Sequence, residues 1–386
     1  MNKADIITDI KDIAYKFTLI AALSVSFGIC SGIPLLSCII ACGILAIVYK
    51  LDYSVPLFPV IFSFMLTLCA AKETGLAGAV VAPVLGGLIA LLLCKVRPVK
   101  NALDKGAFIP AMMVAVALAA TVLVTTDYFG IGADGKTVID MLKNYRSLGF
   151  HPNWRGILYG TITMVIMITY PRKFKKAGKT VSALFVALIA TYLLNFALVP
   201  KGAVLTFEVN RPVFEIASFK TVDFSSLAGV RPVILTLIYA AAQSLAFIMA
   251  GNDSPAGRET IYPLVAEVIV PAMFGFTFPG RIEKSGRETV KGLICAVLLA
   301  ATMLLTKCFS GLPVPTAAVI IIVAAWQALD KSRFKGIFAR KVNIPLFVGT
   351  IALSLLVNPA AGAVAGAAVF AAEDAITGLK KADNNS

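Results

Sequence analysis

The chain has 386 residues, 59% hydrophobic and 15% charged, with a mean hydropathy of +0.87, whereas soluble domains run at roughly 45 to 50% apolar, so the composition excludes a soluble globular protein and calls for an integral membrane one. The net charge of +14 fits Lys and Arg retained in cytoplasmic loops better than a nucleic-acid surface. With a single histidine, His151, and seven cysteines that mostly sit inside apolar runs without CxxC spacing, a metal centre or a Ser/His/Asp triad has little to build on, and neither an enzyme nor a cofactor is expected.

In chain order, "MNKADIITDIKDIAYK" is a charged amphipathic lead without a cleavage-site pattern, so no cleaved signal peptide is expected. A bilayer core of about 30 Å needs roughly 20 apolar residues per helix. On that basis thirteen candidate spans follow, centred on Ala21, Ala41, Phe62, Gly86, Val116, Met164, Leu188, Tyr239, Glu267, Val297, Ile321, Ile351 and Val364. "GLAGAVVAPVLGGLIALLL" and "AAGAVAGAAVFAA" are rich in small residues, which suits close helix packing in lipid, and one compact bundle is expected.

The basic clusters "KVRPVK" with Lys105, "PRKFKKAGK", "DKSRFKGIFARK" and the terminal "LKK" should all be cytoplasmic. The mixed-charge connections from Thr126 to Asn153 and from Lys201 to Arg231 then fall outside. Thirteen crossings leave "DKSRFKGIFARK" on the wrong face, so one crossing is missing. "FGFTFPGRIEKSGRETVKG", Phe274 to Gly292, carries Arg281, Glu283, Lys284 and Arg287 and is the place for it. An extended segment rises about 3.3 Å per residue, twice the rise of a helix, and irregular backbone survives at membrane depth where protein or a cavity surrounds it. The alternative is an external loop and one failure of the positive-inside rule.

With that crossing the chain divides into a first seven-segment half, residues 1–200, an external connection, 201–230, and a second half, 231–386. The third member of each half is short or broken. "YSVPLFPVIFSF" carries Pro56 and Pro59, and its counterpart is "FTFPGRIEKSG". Paired interrupted segments at matching positions point to a transporter site, because helix N-termini direct positive dipole ends at a ligand near the midplane. An anion is the natural ligand.

Several stretches resemble the membrane domain of the sulfate permease (SulP) family of anion transporters. "SGIPLL" is similar to that family's Gly-Val-Pro-Pro turn, and "LLLCKVRPVKNALDKGAFIPAMMVAVALA" to its basic lead into span five. "WRGILYGTITMVIMITYPRKFKK" resembles span six and "LPVPTAAVIIIVAAWQALDKSRFK" a Pro-led, Ala-rich late span. "FGFTFPG" with "KSGRETVKGLICAVLLA" resembles the stretches around span ten. The resemblance implies an all-α polytopic membrane protein of about fourteen segments in two inverted seven-segment repeats, with segments three and ten short or partly extended. It further implies a core domain moving against a gate domain, an anion held between the ends of segments three and ten, and a homodimer.

Three departures stand out. No soluble C-terminal STAS domain is expected after "AAEDAITGLK"; span eight holds Gln243, in "AAAQSLAF", where many members hold a glutamate; and the segment-ten region is shorter by several residues. Glutamine keeps its hydrogen-bonding capacity but does not titrate, which leaves coupling through that position open.

The candidate substrate-binding residues are Phe27, Phe58, Gln243, Ser244 and Arg281. Arg281 at membrane depth would need an anionic partner, either substrate or Glu283; in a surface loop it would be solvated. Gln243 and Ser244 are equally consistent with donors to an anion and with interhelical hydrogen bonds. Phe58 and Pro59 open the third segment, either beside a ligand or as a packed kink. Phe27, in "SVSFGICSG", matches a site-facing position of span one in the resemblance. Glu267, an acid inside a span, is the candidate coupling group or, equally, the partner of a neighbouring basic side chain.

The sequence thus reads as a secondary transporter of a small anion, sulfate, bicarbonate, a halide or a carboxylate, working by alternating access in a bacterial-type inner membrane with both termini cytoplasmic. No Walker-type GxxxxGK[ST] occurs. Two alternatives stay open: a nucleobase permease of similar architecture, which would want carboxylates in spans eight and ten, and a transport-inactive membrane scaffold or partner subunit.

Overall fold

The computed structural model describes residues 52–54, 57–93, 107–131, 138–149, 151–173, 183–198, 223–251, 281–283, 313–329 and 342–383, with positions 294, 297, 334 and 337. The expected spans around Ala21, Ala41 and Glu267 lie outside these residues, as do Phe27 and Glu267 themselves, and that around Val297 is described only at two positions.

The described elements, in order, are β1 (Asp52–Ser54), α1 (Leu57–Leu93), α2 (Phe108–Tyr128), α3 (Val138–Leu148), α4 (Trp154–Lys173), α5 (Ala183–Leu198), a 3-10 turn (Phe224–Leu227), α6 (Val230–Gly251), β2 (Arg281–Glu283), α7 (Val314–Gln327), α8 (Asn343–Leu356) and α9 (Pro359–Asp383). Among them α1, α2 and α6 are long and apolar enough to cross a membrane. Prolines mark the helix starts. Pro59, Pro110, Pro232, Pro315, Pro345 and Pro359 all fall in a first turn, where the missing N–H would have had no intrahelical partner.

α1 holds two of the expected spans, interrupted at Gly75, whose φ of 75° and ψ of −179° are not helical and are open almost solely to glycine. Ser63, before the break, bonds Gln243 of α6, and Gly86, after it, packs on the same Gln243. At 1.5 Å per residue a straight helix would hold Ser63 and Gly86 roughly 35 Å apart. The two halves of α1 therefore fold back as a hairpin, with α6 lying along both. The tip at Gly75 rests on Ser226, in the turn that leads into α6.

A hydrophobic core joins α1, α2, α6, α7 and α9 around Phe62, Phe64, Phe108, Tyr239, Phe247 and Phe370. A second cluster, with Met167, Ala187, Leu188, Ala317 and Ile320, joins α4, α5 and α7. Lipid supplies no hydrophobic drive between helices, so close backbone approach and interhelical hydrogen bonds hold such a bundle together. Glycines supply the approach. A Cβ at Gly160 of α4 would stand 2.5 Å from the Tyr128 ring of α2, and at Gly362 of α9 it would meet Ser354 of α8. Hydroxyls and one indole supply the bonds, Trp326 Nε1 donating to Thr121 Oγ1 at 3.1 Å and Tyr128 pairing with Thr161 at 3.1 Å.

The expected connection from Thr126 to Asn153 contains α3, a short amphipathic helix that buries Val138 and Met141 and exposes Leu142, Lys143 and Arg146. The mainly helical architecture agrees with the all-α membrane expectation, and the one sheet among the described residues is the two-stranded β1–β2 pair.

Candidate functional site

The site is built on that pair. β1 and β2 run antiparallel, with Asp52 opposite Glu283, Tyr53 opposite Ile282 and Ser54 opposite Arg281. The ladder brings together the two interrupted segments that the sequence marks as equivalent, and both are extended where they meet. α1 starts three residues after β1, at Leu57. The first turn of a helix leaves its amides without intrahelical acceptors and carries the positive end of the macrodipole. Those amides, less that of Pro59, sit beside the ladder and the strand that carries Arg281. Arg281 stands at the end of the ladder nearer α1, opposite Ser54, and the two carboxylate residues, Asp52 and Glu283, face each other at the far end; a helix N-terminus next to the arginine end is an arrangement suited to anions.

Phe58 is buried in that first turn, its ring stacked parallel on Phe62 at a centroid distance of 6.0 Å. Both rings belong to the buried hydrophobic core. α6 adjoins β2 and packs along α1. Its Gln243 is 1% exposed. Its Oε1 accepts from Ser63 Oγ at 2.8 Å, and its Nε2 donates to the Ser63 carbonyl and to Thr67 Oγ1, each at 3.1 Å. Thr67 Oγ1 in turn donates to the Ser63 carbonyl at 2.9 Å. Both amide hydrogens of Gln243 are thus directed at α1. Ser244, fully buried, donates to the Ala241 carbonyl of its own helix at 2.6 Å.

Of the residues singled out in the sequence, Phe58 and Arg281 belong to segments that meet at the ladder. Gln243 lies farther along α1's flank and joins α6 to α1, whereas Ser244 bonds a carbonyl of its own helix. Ser63 and Thr67 were missed. Their signal was two hydroxyls at i, i+4 inside the apolar run "FSFMLTL", one face of a helix in a setting where such groups bind helices to each other.

No protein-family model and no curated protein matches the sequence. Solved structures do. The transmembrane domain of a cyanobacterium bicarbonate transporter, BicA, superposes with a TM-score of 0.69 at 16% identity, over 94% of this chain and 97% of that one. SLC26A9 gives 0.61 at 14% identity over 96% of this chain and 65% of that one. The murine Slc26a9 anion transporter in its inward-facing state gives 0.65 at 12% identity, over 96% and 67%. The chain spans about two thirds of the length of the two SLC26A9 structures. The chain therefore shares its fold with the transmembrane domain of BicA and with about two thirds of SLC26A9.

Proposed function

We propose that the protein is a secondary transporter of a small anion, working by alternating access in the inner membrane, with fourteen segments in two inverted repeats and both termini cytoplasmic. The observation that carries the reading is the β1–β2 ladder, which sets the strand of Arg281 against the start of α1 within a fold shared with a bicarbonate transporter and an anion transporter. The anion sits at the ladder, in reach of the α1 first-turn amides and neutralising Arg281. Phe58 and Phe27 form the less polar wall, Gln243 and Ser244 line the flank and Glu267 is the coupling acid. Bicarbonate, sulfate, a halide and a small carboxylate are the substrates to try, and a homodimer is the assembly to look for. No covalent chemistry is assigned.

The test is uptake of radiolabelled sulfate, bicarbonate, chloride and fumarate into proteoliposomes, with and without a proton gradient, comparing wild type with Arg281→Ala and Arg281→Lys. One anion is taken up by wild type, lost in Arg281→Ala and partly restored in Arg281→Lys. Absence of all uptake by folded protein would overturn the transporter reading in favour of a membrane scaffold.

A further inference from the structure

We propose that Gln243 is a positioning residue, whose side-chain amide, by clamping Ser63 and Thr67, sets the depth and rotation of the helix that opens beside the β1–β2 ladder. The inference rests on reading that ladder as the anion site.

Three bonds from one amide to two consecutive turns of a helix define both its rotation and its axial position. Gln243 accepts from the Ser63 hydroxyl at 2.8 Å and donates to the Ser63 carbonyl and the Thr67 hydroxyl at 3.1 Å. All three residues are buried, Ser63 fully and Thr67 to 4% exposure, so water does not substitute for any of these bonds. A one-residue slip of α1 would put Phe62 or Phe64 opposite the amide and leave its two donors and its acceptor without partners. The second half of α1 lies close to the base of the same side chain: a methyl group on Gly86 would stand 2.6 Å from the Gln243 Cβ and 2.8 Å from the Ala240 carbonyl oxygen, so α6 is held closely between both halves of α1.

Ser63 is five residues beyond Phe58, about 7.5 Å along the helix. Through that rigid length the clamp fixes where Phe58 and the first-turn amides lie relative to β2. With both N–H bonds spent on α1, Gln243 acts on an anion through the helix it holds, and α6 and the first half of α1 move as one piece.

The test has two arms on the full-length protein, using wild type, Gln243→Leu, Ser63→Ala and the double variant. In nanodiscs, amide hydrogen exchange over residues 57–67 rises about tenfold in Gln243→Leu, while exchange over α2 is unchanged. In proteoliposomes, Gln243→Leu and Ser63→Ala each raise the KM for the transported anion about fivefold with maximal rate preserved, and the double variant is no worse than the more affected single one. If Gln243→Leu does not fold, Thr67→Ala takes its place, since it removes one of the three bonds. Unchanged exchange over 57–67, or Ser63→Ala leaving KM unaffected while Gln243→Leu raises it, would overturn the proposal, the second result marking Gln243 as a direct ligand. Loss of melting temperature with neither exchange nor KM moved would overturn it as well. If wild type transports none of the four anions, the transport reading fails, and the exchange arm alone decides whether the clamp exists.

Discussion

Gly86 shows how much a single hydrogen atom decides in this bundle. Its Cα faces Gln243 and the Ala240 carbonyl so closely that Gly86→Ala must push α6 off the second half of α1. Overpacking of this kind costs about 1–3 kcal/mol, so the variant in detergent should melt several degrees below wild type; an unchanged melting curve would mean that the helices can part without loss. A different residue-scale effect is expected at Asp223, which caps the 3-10 turn before α6 by accepting from the Ser225 amide at 2.9 Å. The Ser225 hydroxyl, and with it the Ser225 amide, holds the Asp223 carboxyl below the ordinary carboxylate value. A depressed folded-state pKa contributes order that is fully present above the unfolded value and lost as pH falls through the folded one. Exchange of the Ser225 amide should therefore quicken below the usual Asp range, and Asp223→Ala should remove that pH dependence.

At the scale of elements, small residues and interruptions carry the architecture. Gly75→Ala would force a side chain into φ 75°, ψ −179° at the hairpin tip of α1, at a cost of about 1–3 kcal/mol. Two helices were legible there from the sequence because "KETG" breaks an apolar run. α8 and α9 meet through Gly362 and Gly366, spaced as GxxxG, against Ser354 and Thr350, themselves four apart, and Asn358 caps the start of α9 by accepting from the Ala361 amide at 2.6 Å. Gly362→Leu should separate this pair and lower the unfolding temperature by more than Gly349→Leu, since no atom lies within 4 Å of where a Cβ on Gly349 would be. "AAGAVAGAAVFAA" signalled such packing, although its partner on α8 is set by three-dimensional register that no local pattern encodes. α3 was hidden inside a stretch read as a connection because its apolar positions are too few to resemble a span, although Val138, Met141 and Tyr145 follow helical spacing.

For the whole molecule, apolar runs made the membrane bundle legible, and the paired interruptions pointed to the two segments that the ladder joins. What the sequence could not supply was pairing between distant segments, such as the choice of Ser63 and Thr67 as partners for Gln243, because an amide in an apolar helix is compatible with either protein or ligand. The orientation is testable as a unit. Leu76 is exposed and neighbours the tip that rests on Ser226, so in a cysteine-free background Leu76→Cys and Ser226→Cys should label from the same, external face. Ser332→Cys should label from the cytoplasmic face. External labelling of Ser332→Cys would remove the fourteenth crossing.

The ladder also has a consequence for how the protein is made. β1 and β2 lie more than half the chain apart, so β1 emerges from the ribosome long before its partner exists. During that interval its backbone groups lack the ladder partners that β2 supplies. Pairing across so large a sequence separation is slow to close, which makes assembly of the ladder a late event of biogenesis. A nascent chain arrested before residue 281 would hold the first half of α1 without its closing strand, and the cell's membrane proteases would find that junction open until synthesis passed it.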